Sequence, residues 1–230
     1  MKFTVLTLFP KAFDSYLGES ILKRAQKSGR IKIDVIDIRK FTKDKHKTAD
    51  DKPYGGGPGM VMMAEPILAA VQSVQKKVKS KKSKIVILSA AGKKFDAKMA
   101  KNLSLNTDHL VLISGHYEGI DERVKKVLKA EEVSVGDYVL TGGELPAMVM
   151  IDAVSRHIPG VLGKYESLEG ARYGIGVPAY TRPEVLVYRG KKYLVPQELT
   201  RGDHARIEAW RKEHRKKYIF SGVPPHPRIR

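Results

Sequence analysis

Through residue 160 the chain alternates between two hydrophobic periods. Short apolar runs at Phe3–Leu8, Ile31–Ile38, Lys84–Leu88 and Leu110–Ile113 predict β-strands; the last two are continuous, as in strands buried on both faces. Between them the spacing changes. Ile67, Val71, Val74 and Val78 recur at helical intervals, which predicts a helix with Pro66 at its first position, where a missing N–H costs nothing. Ile120, Val124, Val127 and Leu128 make a second such face, and a third helix over Tyr16–Ser28 should stop at Gly29. Further on, Val135–Pro146 couples an apolar strand to a Gly-Gly turn and another helix. Strands alternating with helices imply an α/β fold with a mostly parallel sheet. No internal repeat is evident.

After Pro159-Gly160 the periodicity fades, and Gly163–Pro183, rich in Gly, Tyr and Pro, reads as a linker or mobile loop. Asp203 can then cap a helix carrying Ile207 and Trp210 on one face and Arg206, Lys212, Arg215 and Lys216 around it. The expected division is a domain over 1–162, a flexible loop over 163–180 and a small C-terminal domain over 181–230.

Charge sharpens this picture. Forty-three Lys and Arg against 25 Asp and Glu leave a net charge of +18, more than solubility needs. The segment Thr181–Arg230 alone holds 13 Lys and Arg against 5 acids. Such an excess favours a polyanionic partner, because each phosphate contact releases condensed counterions. A second basic cluster, Lys76–Lys84, reads as a solvated helix end and turn. The chain has no cysteine, which excludes disulfides, thiolate metal sites and cysteine nucleophiles. No apolar run approaches the roughly 18 residues of a membrane span. The N-terminus lacks the small-residue cleavage site of a signal peptide, so a cytoplasmic location is expected.

Five segments carry more glycine or polarity than packing requires. Asp50–Met60 holds three consecutive glycines between prolines, giving a backbone that can approach a ligand closely; no Gly-Lys-Ser/Thr follows, so it is not a P-loop. Leu88–Gly92 and Ser114–Gly119 follow strand runs directly, where open α/β sheets collect ligands. Asp121 and Glu122 fit a helix N-terminus better than a metal site. Val135–Pro146 offers an apolar slot with backbone donors and acceptors. Last come Arg156 and the acids of Glu166-Ser167-Leu168-Glu169, a cation that could steady developing negative charge and carboxylates that could take a proton. An ordinary salt bridge or an exposed loop acid would explain the same residues.

Taken together, several blocks resemble the bacterial tRNA (guanine-N1)-methyltransferases that modify position 37. They are Asp50–Met60, Gly115–Val124, Val135–Pro146, Ile151–Gly163, Tyr180–Val185 and Gly202–Ile207 with Trp210-Arg211, all in family order. The resemblance implies a SPOUT-type parallel sheet with a deep trefoil knot, a small, mostly helical C-terminal domain that binds the anticodon arm, and a homodimer. It also implies S-adenosyl-L-methionine as methyl donor, held by positions matching Leu88, Gly115, Tyr117, Glu118, Val135, Gly136, Asp137, Tyr138, Val139, Leu140, Gly142, Gly143 and Pro146. Substrate contacts would come from Pro58, Gly59, Ser167, Arg182 and His204, and Arg156 would steady charge on the guanine oxygen. Family members carry an Asp late in the inter-domain loop as the base. This loop has no Asp, and Glu169 takes the role, with Glu166 the alternative. Ala90 and Ala179 also depart from the usual pattern. Activity in the family requires magnesium, but no spacing here defines a metal site, so a diffuse or substrate-borne ion is expected. The competing readings are a catalytically lapsed RNA-binding relative and a knotted methyltransferase acting on another RNA site.

Overall fold

The computed structural model describes residues 1–78, 80, 82–162 and 176–214. The chain divides into two compact units, 1–162 and 163–230.

In the first unit, β1 (Lys2–Thr7), β2 (Lys32–Asp37), β5 (Ser83–Lys94), β6 (His109–Ser114) and β7 (Glu131–Ser134) form one sheet in the order β2-β1-β6-β5-β7. Every neighbouring pair is parallel. Alternation along the strands sends side chains to two separate cores. Phe3, Val5, Val86, Leu88, Leu110 and Leu112 point to one, and Leu6, Ile87, Val111 and Ile113 to the other. The first core is closed by α2 (Ser20–Lys27), α4 (Ala97–Asn106) and α6 (Glu144–Ser155), through residues such as Leu22, Leu103 and Ile151. The second is closed by α3 (Ala64–Lys77) and α5 (Glu122–Leu128), through Ile67, Val71, Val74 and Val124. A small hairpin of β3 (Asp50–Asp51) and β4 (Val61–Met62) stands apart from the sheet.

Four local readings of the sequence need correction. The helix expected over Tyr16–Ser28 is two pieces, α1 (Asp14–Leu17) and α2, interrupted at Gly18-Glu19. A Cβ at Gly18 would stand 2.8 Å from the Asp14 carbonyl oxygen, and Ser20 enters α2 with a left-handed φ of 49°. Pro66 is the third residue of α3 rather than the first; an N–H there lacks an intrahelical partner in any case. The strand expected within Val135–Leu140 is a loop, with Val139 85% exposed, and the strand itself lies earlier, at Glu131–Ser134. In α5, Val127 is exposed while Val124 is buried, so the apolar stripe is narrower than the pattern indicates.

The described part of the second unit holds β8 (Val185–Tyr188), β9 (Lys191–Leu194), α7 (Gln197–Thr200) and α8 (His204–His214). Asp203 caps α8, its Oδ1 accepting from the N–H groups of Ala205 and Arg206. Trp210 is buried and stacks on His214 with 4.2 Å between ring centroids. The β8–β9 hairpin was not foreseen; Arg189 and Gly190, both at positive φ, make the tight turn that joins its strands.

Candidate active site

The parallel strands β5, β6 and β7 deliver three loops to the same edge of the sheet, at their carboxyl ends. After Leu88 the β5–β7 register shifts, and Ser89–Ala91 bulges away from the ladder. After Ser114 the chain turns through Gly115–Asp121 into α5, and after Ser134 it loops through Val135–Gly143 into α6. These loops enclose a cleft of about 320 Å³, with Pro146 in its wall.

Short-range contacts hold the loops in register. Gly143 N–H donates to the Gly115 carbonyl at 2.8 Å, and a Cβ on Gly143 would fall 2.7 Å from Ser114 Cα. His116 and Gly142 form an isolated antiparallel bridge. Ser134 Oγ donates to the Gly136 carbonyl at 2.8 Å and tightens the start of the third loop. Glu144, at the head of α6, accepts from Thr7 Oγ1 at 2.7 Å, and its other oxygen lies 3.9 Å from His116 Nδ1. That nitrogen is buried without a hydrogen-bond partner among the described residues. Asp121 caps α5 and chelates the Arg123 guanidinium, which holds its carboxyl below the usual range and pushes the arginine further up.

Around this cleft stand exposed apolar side chains, Tyr117, Tyr138, Val139 and Leu140, together with Glu118 and backbone groups of the glycine turns. An adenine-bearing sulfonium asks for that combination: apolar walls, backbone donors and acceptors, and carboxylates near a cation. The residues present fit such a group.

Of the positions named from sequence, Leu88, Gly115, Tyr117, Glu118, Val135, Tyr138, Val139, Leu140, Gly142, Gly143 and Pro146 all line the cleft. Gly136 and Asp137 sit on its third loop but outside the lining, and Asp137 is exposed and paired with Lys94. Pro58 and Gly59 belong to the β3–β4 hairpin loop, which reaches the cleft: a Cβ on Gly59 would meet Glu118 Cγ at 2.6 Å, and Glu118 N–H donates to the Met60 carbonyl. Arg182 and His204 lie in the second unit. Glu166, Ser167 and Glu169 fall outside the described residues. Lining residues not named from sequence include His116, Lys125 and Glu132. The Lys125–Glu132 ion pair couples α5 to β7, a contact that no local motif encodes.

Arg156 is the outlier. It caps the C-terminal end of α6, ten residues after Pro146, a separation of about 15 Å along the helix axis. It stands near Tyr16, whose hydroxyl donates to Asp152; that hydrogen bond raises the Tyr16 pKa, and the Arg156 charge opposes the rise. Among the described residues no group of three His, Asp or Glu side chains is placed to hold a metal ion.

Comparison with known proteins gives this geometry a family. A family model described as tRNA (Guanine-1)-methyltransferase TrmD matches residues 1–221. A tRNA (guanine-N(1)-)-methyltransferase of Ruminiclostridium cellulolyticum is 50% identical over 214 residues, covering 92% of this chain and 89% of that protein. One from Carboxydothermus hydrogenoformans is 50% identical over 216 residues, covering 93% and 82%. One from Listeria welshimeri is 44% identical over 227 residues, covering 97% and 91%. With a match over nearly its whole length and relatives at this identity, the chain belongs to the TrmD family of tRNA (guanine-1)-methyltransferases.

Proposed function

We propose that this protein transfers a methyl group from S-adenosyl-L-methionine to N1 of guanosine 37 in tRNA, beside the anticodon. The observation that carries this reading is the gathering of the family's cofactor blocks from three separate loops around one cleft at the carboxyl ends of β5, β6 and β7. Bound there, S-adenosyl-L-methionine supplies an electrophilic methyl on a sulfonium. Leu88 and Pro146, both buried, give the cleft apolar walls, and Val139, Leu140, Tyr117 and Tyr138 offer exposed apolar surface around it for a ligand to cover. Glu118, in the cleft lining, would place negative charge near the cation. The hairpin loop with Pro58 and Gly59 stands beside Glu118, where an incoming base would be positioned. Glu169 would take the N1 proton as guanine N1 gains the methyl and the sulfonium leaves as a neutral thioether, and Arg156 would stabilise charge on the guanine oxygen; the protein's contribution to rate would lie largely in positioning the base against the donor.

The reading includes a homodimer. Arg156 is too far along α6 to reach its own cleft, so it acts at the cleft of a second subunit. Leu145 and Val149, 60% and 48% exposed, share the stripe of α6 that leads to Asp152 and Arg156, with exposed Tyr16 beside it, and an exposed apolar stripe running up to Arg156 suits an interface. The trefoil knot and the helical, tRNA-binding C-terminal domain belong to the same reading, supported by family membership, the sheet order and the basic α8. Magnesium enters with the substrate. No described helix is long and apolar enough to cross a membrane.

The test uses purified protein, labelled S-adenosyl-L-methionine, magnesium and two tRNA transcripts, one with guanine at positions 36 and 37 and one with adenine at 37. Transfer to the first alone, mapped to N1, is expected. Binding of both ligands without transfer would replace this reading with a lapsed, binding-only relative.

A further inference from the structure

We infer that the loop Lys40–Lys47 is a second docking surface for the tRNA backbone, carried by the first unit and separate from the basic C-terminal segment. The inference rests on the tRNA reading above. Between Arg39 and Lys52 the chain holds six Lys and Arg against three acids. Lys40, Lys43, Lys45, His46 and Lys47 are all exposed. No described carboxylate pairs with any of these four lysines, whereas Lys2, Lys23, Lys84, Lys94 and Lys125 each have a partner. The acid inside the loop is already engaged: the Asp44 carboxylate accepts from both the N–H and the Oγ1 of Thr48, which holds its pKa below the usual range.

Those bonds also give the loop a shape. Lys47 N–H closes a turn on the Asp44 carbonyl, and Lys47 itself takes a left-handed φ of 56°, a conformation that disfavours a lysine. A groove of about 910 Å³ separates Lys43, Asp44 and Thr48 from Gln72 and Gln75 of α3, so the loop stands proud of the helix. An array of exposed cations with no partner among the described residues, on a loop whose backbone turn is held in shape, suits phosphates.

Its position relates it to the reaction. Three residues after Lys47, Asp50 pairs with Met62, and Met62 N–H donates to the Gly119 carbonyl in the wall of the cleft. The chain path limits the distance from Lys47 to that wall to roughly 20 Å. An RNA strand that places a base in the cleft therefore passes its neighbouring phosphates within reach of this loop.

The test is a triple variant, Lys40→Gln, Lys43→Gln and Lys45→Gln, which leaves Lys47 and the Asp44–Thr48 tie intact. A control variant, Lys76→Gln, Lys98→Gln and Lys126→Gln, removes the same charge from exposed positions elsewhere on the unit that have no ion-pair partner among the described residues. Binding of an unmodified tRNA transcript is measured against salt, together with S-adenosyl-L-methionine affinity, the melting temperature and steady-state rates. The loop variant should bind tRNA at least about tenfold more weakly near physiological salt, with a log K versus log salt slope flatter by about two, since each phosphate contact contributes about 0.7–0.9. KM for tRNA should rise while kcat, cofactor affinity and melting temperature hold. Equal slopes for loop variant and wild type, or an equal loss in the control, would overturn the proposal. The binding readout stands apart from methyl transfer: a wild-type protein that binds tRNA but transfers no methyl group would remove the enzyme reading and leave this comparison intact.

Discussion

Gly143 has an ordinary φ of −82°, so what a side chain lacks there is room rather than an allowed backbone. The Ser114 backbone occupies the place of its Cβ, and the hydrogen bond to Gly115 holds the two loops that close. Gly143→Ala should destabilise the first unit by about 1–3 kcal/mol and weaken S-adenosyl-L-methionine binding with it. Thermal melting and calorimetric titration check both; an unchanged cofactor affinity would mean that this junction does not shape the cleft. The glycine itself was visible in the sequence as half of a Gly-Gly turn. Its partner, 29 residues away in sequence, was not, because only the side-by-side placement of β6 and α6 brings Ser114 against it.

At the scale of elements, β6 carries a buried polar group that packing must tolerate. His109 is 2% exposed, its Nε2 lies 2.8 Å from Thr4 Oγ1 on β1, and its Nδ1 has no partner among the described residues. Burial, reinforced by the nearby Lys2 charge and opposed by Asp34, pushes its pKa below the ordinary 6.5. His157 is shifted the same way, by burial and by Lys101 and Arg156. In both cases the unfolded chain takes up the proton first, so stability is complete above pH 6.5 and declines as the pH falls below it. Urea unfolding midpoints between pH 7.5 and 5 should show this loss, and His109→Gln should make the dependence shallower; an identical profile in the variant would assign the loss elsewhere. The runs that became β5 and β6 were legible because burial on both faces demands continuous hydrophobicity, and β1 and the edge strand β2 because short clusters of apolar residues recur between their Thr and Asp positions. β7 was not: Glu131 and Glu132 mask its two inward residues, and their charges are met by Lys84 and Lys125 from other elements. The break at Gly18 was hidden for a related reason, since a helical period continues across it.

For the whole molecule the question is where Arg156 acts. If it serves the cleft of a second subunit, two individually inactive proteins should complement each other. Arg156→Ala keeps a cofactor cleft but lacks the arginine; Leu140→Asp keeps the arginine but spoils the apolar wall. Mixed and allowed to exchange, they should recover on the order of a quarter of wild-type turnover, because half of randomly paired symmetric dimers are mixed and each keeps one complete site. No recovery, with exchange shown by native mass spectrometry, would place Arg156 and the cofactor in the same subunit.

The sequence alone determined the class of fold, the basic character of the chain and the segments from which a site is built, because hydrophobic period, net charge and glycine-rich loops are local properties. Its resemblance to the methyltransferases pointed to the same segments and named the reaction that the family comparison supports. Only the tertiary structure decided which segments meet. The parallel sheet carries the ends of β5, β6 and β7 to one edge, so residues from Leu88 to Pro146 line a single cleft, while the length of α6 holds Arg156 away from it. The sheet brings neighbouring strands side by side whatever their distance along the chain, and a rigid helix fixes the separation of its own ends; neither relation can be read from the residues one at a time.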